Sequence, residues 1–229
     1  LVSAPFFVNA IAQPDARVAI SSNFGETARD LKEQFEVEYG QELEFTIGST
    51  GKVASQIING MSVDLLLAAD IERPRYLELH GKAKHGTRVT YALGQLALWA
   101  PDISVDVKDN RPSGELLISL KSVALANPRL APYGIAAMQA WTNIKPKAAS
   151  TKLAFGENIA QTYQFVYTGN VDAGFIAKSQ SLNLPSENLW HVPASLHDPI
   201  EQQMVLLSDN EVARSFYDFI LSEQGRAII

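Results

Sequence analysis

The sequence predicts an α/β protein made of two lobes that share crossing strands. Three observations support this. Short apolar runs of strand length alternate with segments of helical spacing along the whole chain. Val63-Asp64-Leu65-Leu66-Leu67-Ala68-Ala69 is almost continuously apolar, as expected of a strand covered on both faces of a parallel sheet. The 229 residues suffice for two modest cores, with no repeat and no proline- or serine-rich linker to string them apart.

Arg17-Val18-Ala19-Ile20 reads as the first strand, Ser21 to Gly25 as a turn, and Ala28, Leu31 and Phe35 as the buried stripe of a helix. The unit then repeats: Glu42 to Ile47 forms a strand, Gly48-Ser49-Thr50-Gly51 a turn, and Val53, Ile57, Ile58 and Met61 a helical stripe. Leu93 to Ala100 is a long apolar stretch closed by Pro101, and Ser122 to Ala126 starts a second sheet that Lys152 to Phe155 continues. A helix follows from about Asn158 to Thr168 with Gly169 placed to cap it, then a strand from Asp172 to Ala177. Gln203 to Leu207 reads as a strand and Glu211 to Ser222 as an amphipathic helix with Phe216, Phe219 and Ile220 inward. Chain crossings are expected near Tyr91 to Leu96 and Pro193 to Glu201. Lobe one is then 17–92 with 195–229, and lobe two is 93–194.

Composition narrows the function. With 46% hydrophobic and 19% charged residues the chain is an ordinary globular one. A net charge of -6, from 19 basic and 25 acidic residues, disfavours a nucleic-acid footprint. The absence of cysteine removes thiol catalysis and cysteine-type zinc sites. The 4 histidines, at 80, 85, 191 and 197, have no metal-ligand spacing, and no nucleophile elbow or carboxylate pair stands out, so no catalytic residue, metal ligand or cofactor is expected. Trp99, Trp141 and Trp190 are scattered and read as packing residues. Residues 1–16 read as a signal remnant or N-terminal arm, with Ala10-Ile11-Ala12 resembling a cleavage site of a secreted protein.

The turn Gly48-Ser49-Thr50-Gly51-Lys52 is not a Walker loop, because Thr46 and Val53 stand where glycine and a hydroxyl are needed. It still offers small hydroxyl residues and free N–H groups at a helix start, an arrangement that suits an anion. Helix capping by Ser49 or Thr50 is the equally good structural reading. Ser21-Ser22-Asn23 repeats the arrangement after the first strand, and open α/β sheets bind ligands at that edge.

These motifs resemble the molybdate-binding proteins of ABC transporters, within the type II periplasmic binding-protein fold. The likeness spans nearly everything after Arg17. It rests on Ser22-Asn23-Phe24, on Gly48-Ser49-Thr50-Gly51 followed by Ala54-Ser55-Gln56-Ile57, and on Val63 to Asp70. In the second half it rests on Ala126-Asn127-Pro128 with Ala131-Pro132-Tyr133-Gly134, on Gly156 to Gln161 and on Thr168 to Phe175. The resemblance implies two lobes, each a mostly parallel sheet flanked by helices, closing on a tetrahedral dianion held by uncharged donors. Carried over by position, Ser22 and Asn23, Ser49 and Thr50, Tyr133, and the backbone N–H of Ile159 become the ligand set. One branch of the family has a tyrosine where this chain has Ala177, and Tyr133 is the candidate replacement phenol.

The resemblance further implies a monomeric periplasmic receptor, secreted through a signal peptide, that binds molybdate or tungstate and hands it to a membrane permease. A same-fold receptor for sulfate, a metal chelate or a small organic acid is the alternative, and a periplasmic enzyme or a regulator's sensing domain a more distant one.

Overall fold

The structure, a computed structural model, describes residues 13–229, so the proposed cleavage site at Ala10 to Ala12 lies outside the described residues. The first half runs β1 (Ala16–Ser21), α1 (Gly25–Tyr39), β2 (Leu43–Gly48), α2 (Thr50–Ile58), β3 (Leu65–Leu67), α3 (Glu72–Leu79) and β4 (Val89–Gly94). Next come β5 (Leu96–Trp99), the small hairpin β6 (Val107–Lys108) and β7 (Arg111–Pro112), α4 (Gly114–Ser119), β8 (Ser122–Ala126) and α5 (Pro132–Ile144). The chain ends with β9 (Lys152–Gly156), α6 (Ile159–Tyr167), β10 (Ala173–Ala177), β11 (Leu189–His191), β12 (Ile200–Leu206), α7 (Glu211–Leu221) and α8 (Glu223–Ile228).

Two five-stranded sheets carry the molecule, ordered β2-β1-β3-β12-β4 and β11-β5-β10-β8-β9. In the first, β1 pairs in parallel with β2 and β3, and β12 runs antiparallel between β3 and β4. The second repeats the plan: β8 pairs in parallel with β9 and β10, and β5 runs antiparallel between β10 and β11. Four strands of each sheet therefore share one direction, and the odd strand arrives from a crossing. The sequence shows no repeat, yet the topology is one.

The apolar runs follow from burial on both faces. Val18 and Ile20 face the core beneath α1 and α7 with Phe35 and Phe216, while Ala19 and Leu66 face α2 and α3 with Val53, Ile57 and Leu77. In the second sheet, Leu98, Val123, Leu125 and Phe175 pack with Trp141 of α5, while Ala97, Ala124 and Ile176 pack with Val166 of α6. Trp99, Trp141 and Trp190 are all buried.

Several boundaries differ from the sequence reading. Strand β3 covers Leu65–Leu67 alone, because Asp64 turns to the start of β1, where its carboxylate accepts from Arg17 N at 2.8 Å. The stretch Leu93 to Ala100 is split at Gln95, with β4 in the first sheet and β5 in the second. The return passes through 192–199, and β12 is longer at its start than its hydrophobicity suggests, because Gln202 and Gln203 are polar strand residues beside a register shift. Helix ends follow capping rules. Gly40 adopts φ 67° after α1 and donates to Glu36 O, and the Asn210 side chain accepts from the N–H groups of Val212 and Ala213 at the start of α7.

Candidate binding site between the two sheets

The turns after β1 and β2 meet at a buried chain of hydrogen bonds. The backbone N–H of Ala69 donates to Thr50 Oγ1 at 3.2 Å, and the Thr50 hydroxyl donates to Ser21 Oγ at 2.9 Å. Ser21 Oγ donates to Asn23 Oδ1 at 2.7 Å, and Asn23 Nδ2 donates to Gln202 Oε1 at 2.6 Å. Ser21, Asn23, Thr50 and Gln202 are each at most 5% exposed, so every link lies in a medium where an unmade bond is costly.

This changes the assignment of two expected residues. The Thr50 hydroxyl is bonded to Ser21 and to the Ala69 N–H, and its backbone N–H is among the first donors of α2. Ser22 is half-buried, and the hydroxyl that joins the chain is that of its neighbour Ser21. Ser21 and Gln202 were not foreseen. Ser21 was legible as one of three polar residues in its turn, whereas Gln202 stands 179 residues from its partner in a strand read as starting at Gln203.

Ser49 behaves differently from Thr50. It is the residue before the first turn of α2, its side chain makes no capping bond, and its Oγ is a buried side-chain oxygen without a hydrogen-bond partner among the described residues. A buried hydroxyl that caps nothing at a helix N-terminus keeps its hydrogen-bonding capacity unspent.

The second sheet brings its own helix starts. Tyr133 lies in the first turn of α5 and is buried, with its hydroxyl so close to Gly94 that a Cβ there would stand 2.6 Å from it. Burial raises the Tyr133 phenol above its ordinary range, opposed by the Asn23 side chain and the Gln95 backbone, so it stays a neutral donor. Ile159 opens α6, its side chain is in the core of the second sheet, and its N–H is among the first donors of the helix. The α5 turn fits closely because residue 134 is glycine: a Cβ there would meet Ala126 O at 2.2 Å.

Contacts across the cleft bring these ends together. Gly51 N donates to Leu130 O at 2.9 Å, Ser179 Oγ donates to Asn23 O at 3.1 Å, and Lys52 pairs with Glu157 beside the start of α6. Asn23 and Tyr133 also line one cavity of about 520 Å³ with Gly94, Gln95 and Gln202. Ser22, Ser49, Thr50 and Ile159 are not on its wall. A second cavity, of about 530 Å³, walled by Ala54, Ile58, Tyr76 and Leu79, holds none of the six.

Lys52 and Arg73, the cations flanking the α2 end, are each paired with a carboxylate, Glu157 and Asp70. The hydroxyl and amide groups of Tyr133, Asn23 and Gln202 share their cavity wall with Glu26, Asp30 and Lys178. Among the described residues no group of three or more His, Asp or Glu side chains could hold a metal ion, and no helix is long and apolar enough to cross a membrane.

The sequence profile of the family described as bacterial extracellular solute-binding protein matches residues 16–229. The chain belongs to that family. This solute-binding protein is 36% identical over 228 residues to a molybdate-binding protein of Azotobacter vinelandii, covering 94% of this chain and 87% of the relative. It is 34% identical over 216 residues to one of Rhodobacter capsulatus, covering 92% and 84%. The solved periplasmic molybdate-binding protein of Azotobacter vinelandii superimposes on it with a TM-score of 0.85 at 29% identity, covering 93% of this chain and 96% of that one. The two sheets flanked by helices are thus the periplasmic binding-protein fold.

Proposed function

We propose that this solute-binding protein is an extracytoplasmic receptor that captures molybdate or tungstate between its lobes and delivers it to an ABC permease. The observation that carries this is the buried, unpartnered Ser49 hydroxyl at the start of α2, beside Lys52 and Arg73, which are each paired with a carboxylate. The ligand set is Asn23 with Ser22, Ser49, the backbone N–H of Thr50, the Tyr133 hydroxyl and the Ile159 N–H. Each such donor to a charged oxygen contributes roughly 1.5–3 kcal/mol, so a dianion needs no lysine or arginine to replace its water. Hydrogen phosphate is refused because its proton finds no acceptor and is buried unpaired. The relatives named molybdate-binding support the ligand class.

The two sheets act as lobes, 17–94 with 200–229 and 96–191, that close about the crossings at Gln95 and 192–199. The protein works as a monomer, reaches the periplasm through a signal peptide, and uses no cofactor and no catalytic residue.

Thermal melting with molybdate, tungstate, sulfate and phosphate in turn tests the reading. Molybdate or tungstate at 100 times its dissociation constant stabilises by about 2.7 kcal/mol, and phosphate does not. Equal stabilisation by phosphate rejects a site built of donors alone.

A further inference from the structure

We infer that Ser21 and Gln202, neither of them a ligand, set the anion selectivity of the cleft by fixing which edge of the Asn23 amide faces it. The inference rests on the oxyanion-receptor reading above. An asparagine amide is nearly symmetric in shape, and turning it about its last bond exchanges an acceptor for a donor. In this protein its direction follows a chain of bonds. The Ala69 N–H donates to Thr50 Oγ1, and the Thr50 hydroxyl donates to Ser21 Oγ. Ser21 then sends its proton to Asn23 Oδ1, which leaves Asn23 Nδ2 to donate to Gln202 Oε1. The Tyr91 hydroxyl, 3.3 Å from Ala68 O and 3.5 Å from Gln202 Oε1, lies against the far end of the chain.

With Oδ1 occupied by Ser21 and one amide hydrogen by Gln202, the edge of Asn23 left free is its second N–H. The Tyr133 phenol lines the same cavity as Asn23. The chain ties the ends of β1 and β3 and the start of α2 to β12, the strand that enters the first sheet from the crossing. Five buried groups thus ensure that one amide offers the cleft no oxygen. Remove either neighbour and the amide can turn, placing Oδ1 where a protonated oxyanion needs an acceptor.

The test compares dissociation constants for molybdate and inorganic phosphate, measured by calorimetry at neutral pH on the full chain and on Ser21→Ala, Ser21→Thr and Gln202→Leu. Loss of packing weakens both anions together and leaves their ratio alone, whereas a freed amide moves the ratio. Ser21→Ala and Gln202→Leu are expected to shift it toward phosphate by about tenfold or more, the worth of one hydrogen bond gained and one lost. Ser21→Thr keeps the hydroxyl and the wild-type ratio. Wild-type binding of molybdate with unchanged ratios in both Ser21→Ala and Gln202→Leu overturns the inference alone. A wild-type protein that binds no molybdate overturns the receptor reading and the inference with it.

Discussion

The corner joining β2 to α2 and the corner joining β9 to α6 hold the same place in their two sheets, yet they use their cap residues in opposite ways. At the second, the Asn158 side chain accepts from Gln161 N, and Gln161 reaches back to the N–H of Glu157, so the side chains secure the helix. At the first, Ser49 caps nothing and keeps its hydroxyl unpaired in a buried place. One helix start is secured by its cap side chain and offers backbone donors; the other leaves its cap hydroxyl uncommitted. Identical topology can therefore present chemically different groups at equivalent corners.

The sharpest way to break this comparison is a matched pair of glycine substitutions. Gly25 and Gly134 sit in the first turns of the helices that follow β1 and β8, but an added Cβ meets only Ile47 side-chain atoms at 3.4 Å in one case and the Ala126 carbonyl at 2.2 Å in the other. Gly134→Ala is expected to destabilise by roughly 1–3 kcal/mol or more through forced backbone shifts. Gly25→Ala should be close to neutral, or slightly stabilising through a stiffer unfolded chain. Denaturant unfolding of both variants reads the difference.

The corners themselves give the next effect. Ser49→Ala is expected to cost about 1.5–3 kcal/mol of oxyanion affinity by calorimetry, with a stability change within about 0.5 kcal/mol in the free protein. Asn158→Ala should do the reverse, losing about 1 kcal/mol of stability as its cap is removed. Equal stability losses in the two variants would show that Ser49 is a cap after all.

Tyr133→Phe tests the one side chain of the second lobe proposed as a ligand. Affinity is expected to fall by about 1–3 kcal/mol while the ring keeps its packing. Its buried phenol has a folded value raised above the ordinary 10.0, so the folded state holds that proton more tightly and stability declines as pH rises beyond 10. The Phe variant should lose part of that alkaline decline, as melting curves across pH 9 to 11 would reveal.

The smallest effect concerns charge. Among the described residues every ion pair lies within the first sheet and its helices, except Lys52 to Glu157, which crosses the cleft. Glu78 is held below its ordinary value by Arg88 first, at 2.6 Å, and then by the N–H of Gly86. A depressed carboxyl stabilises above its unfolded value of 4.5 and loses that contribution as pH falls. Hydrogen-exchange protection, corrected for the intrinsic rate, is therefore expected to fall on acidification in the first sheet before the second, and Glu78→Gln should narrow the gap between them.

Much of this was legible in the sequence because local signals carried it. The apolar runs of β1 and β8, the Asn158 cap and the paired polar turns each report on a few neighbouring residues. What escaped depends on distant partners. No local pattern separates Gln95 from the apolar stretch it interrupts, and Gln202 reads as solvent-facing until β12 is placed between β3 and β4. The split between Ser49 and Thr50 is equally hidden, since both are small hydroxyl residues and only the position of Ser21 commits one of them. Mirrored topology also left no trace, because the two sheets share strand order without sharing side chains.

That insertion of β12 governs the order of assembly during synthesis. A ribosome that has released everything through β4 has made four of the five strands of the first sheet, but β3 and β4 face a gap that only residues 200–206 can fill. Until then the nascent half carries two bare edges, which are open to mispairing and leave no reason for early closure. The first lobe begun is thus the last completed, and the chain stays threadable until nearly all of it exists.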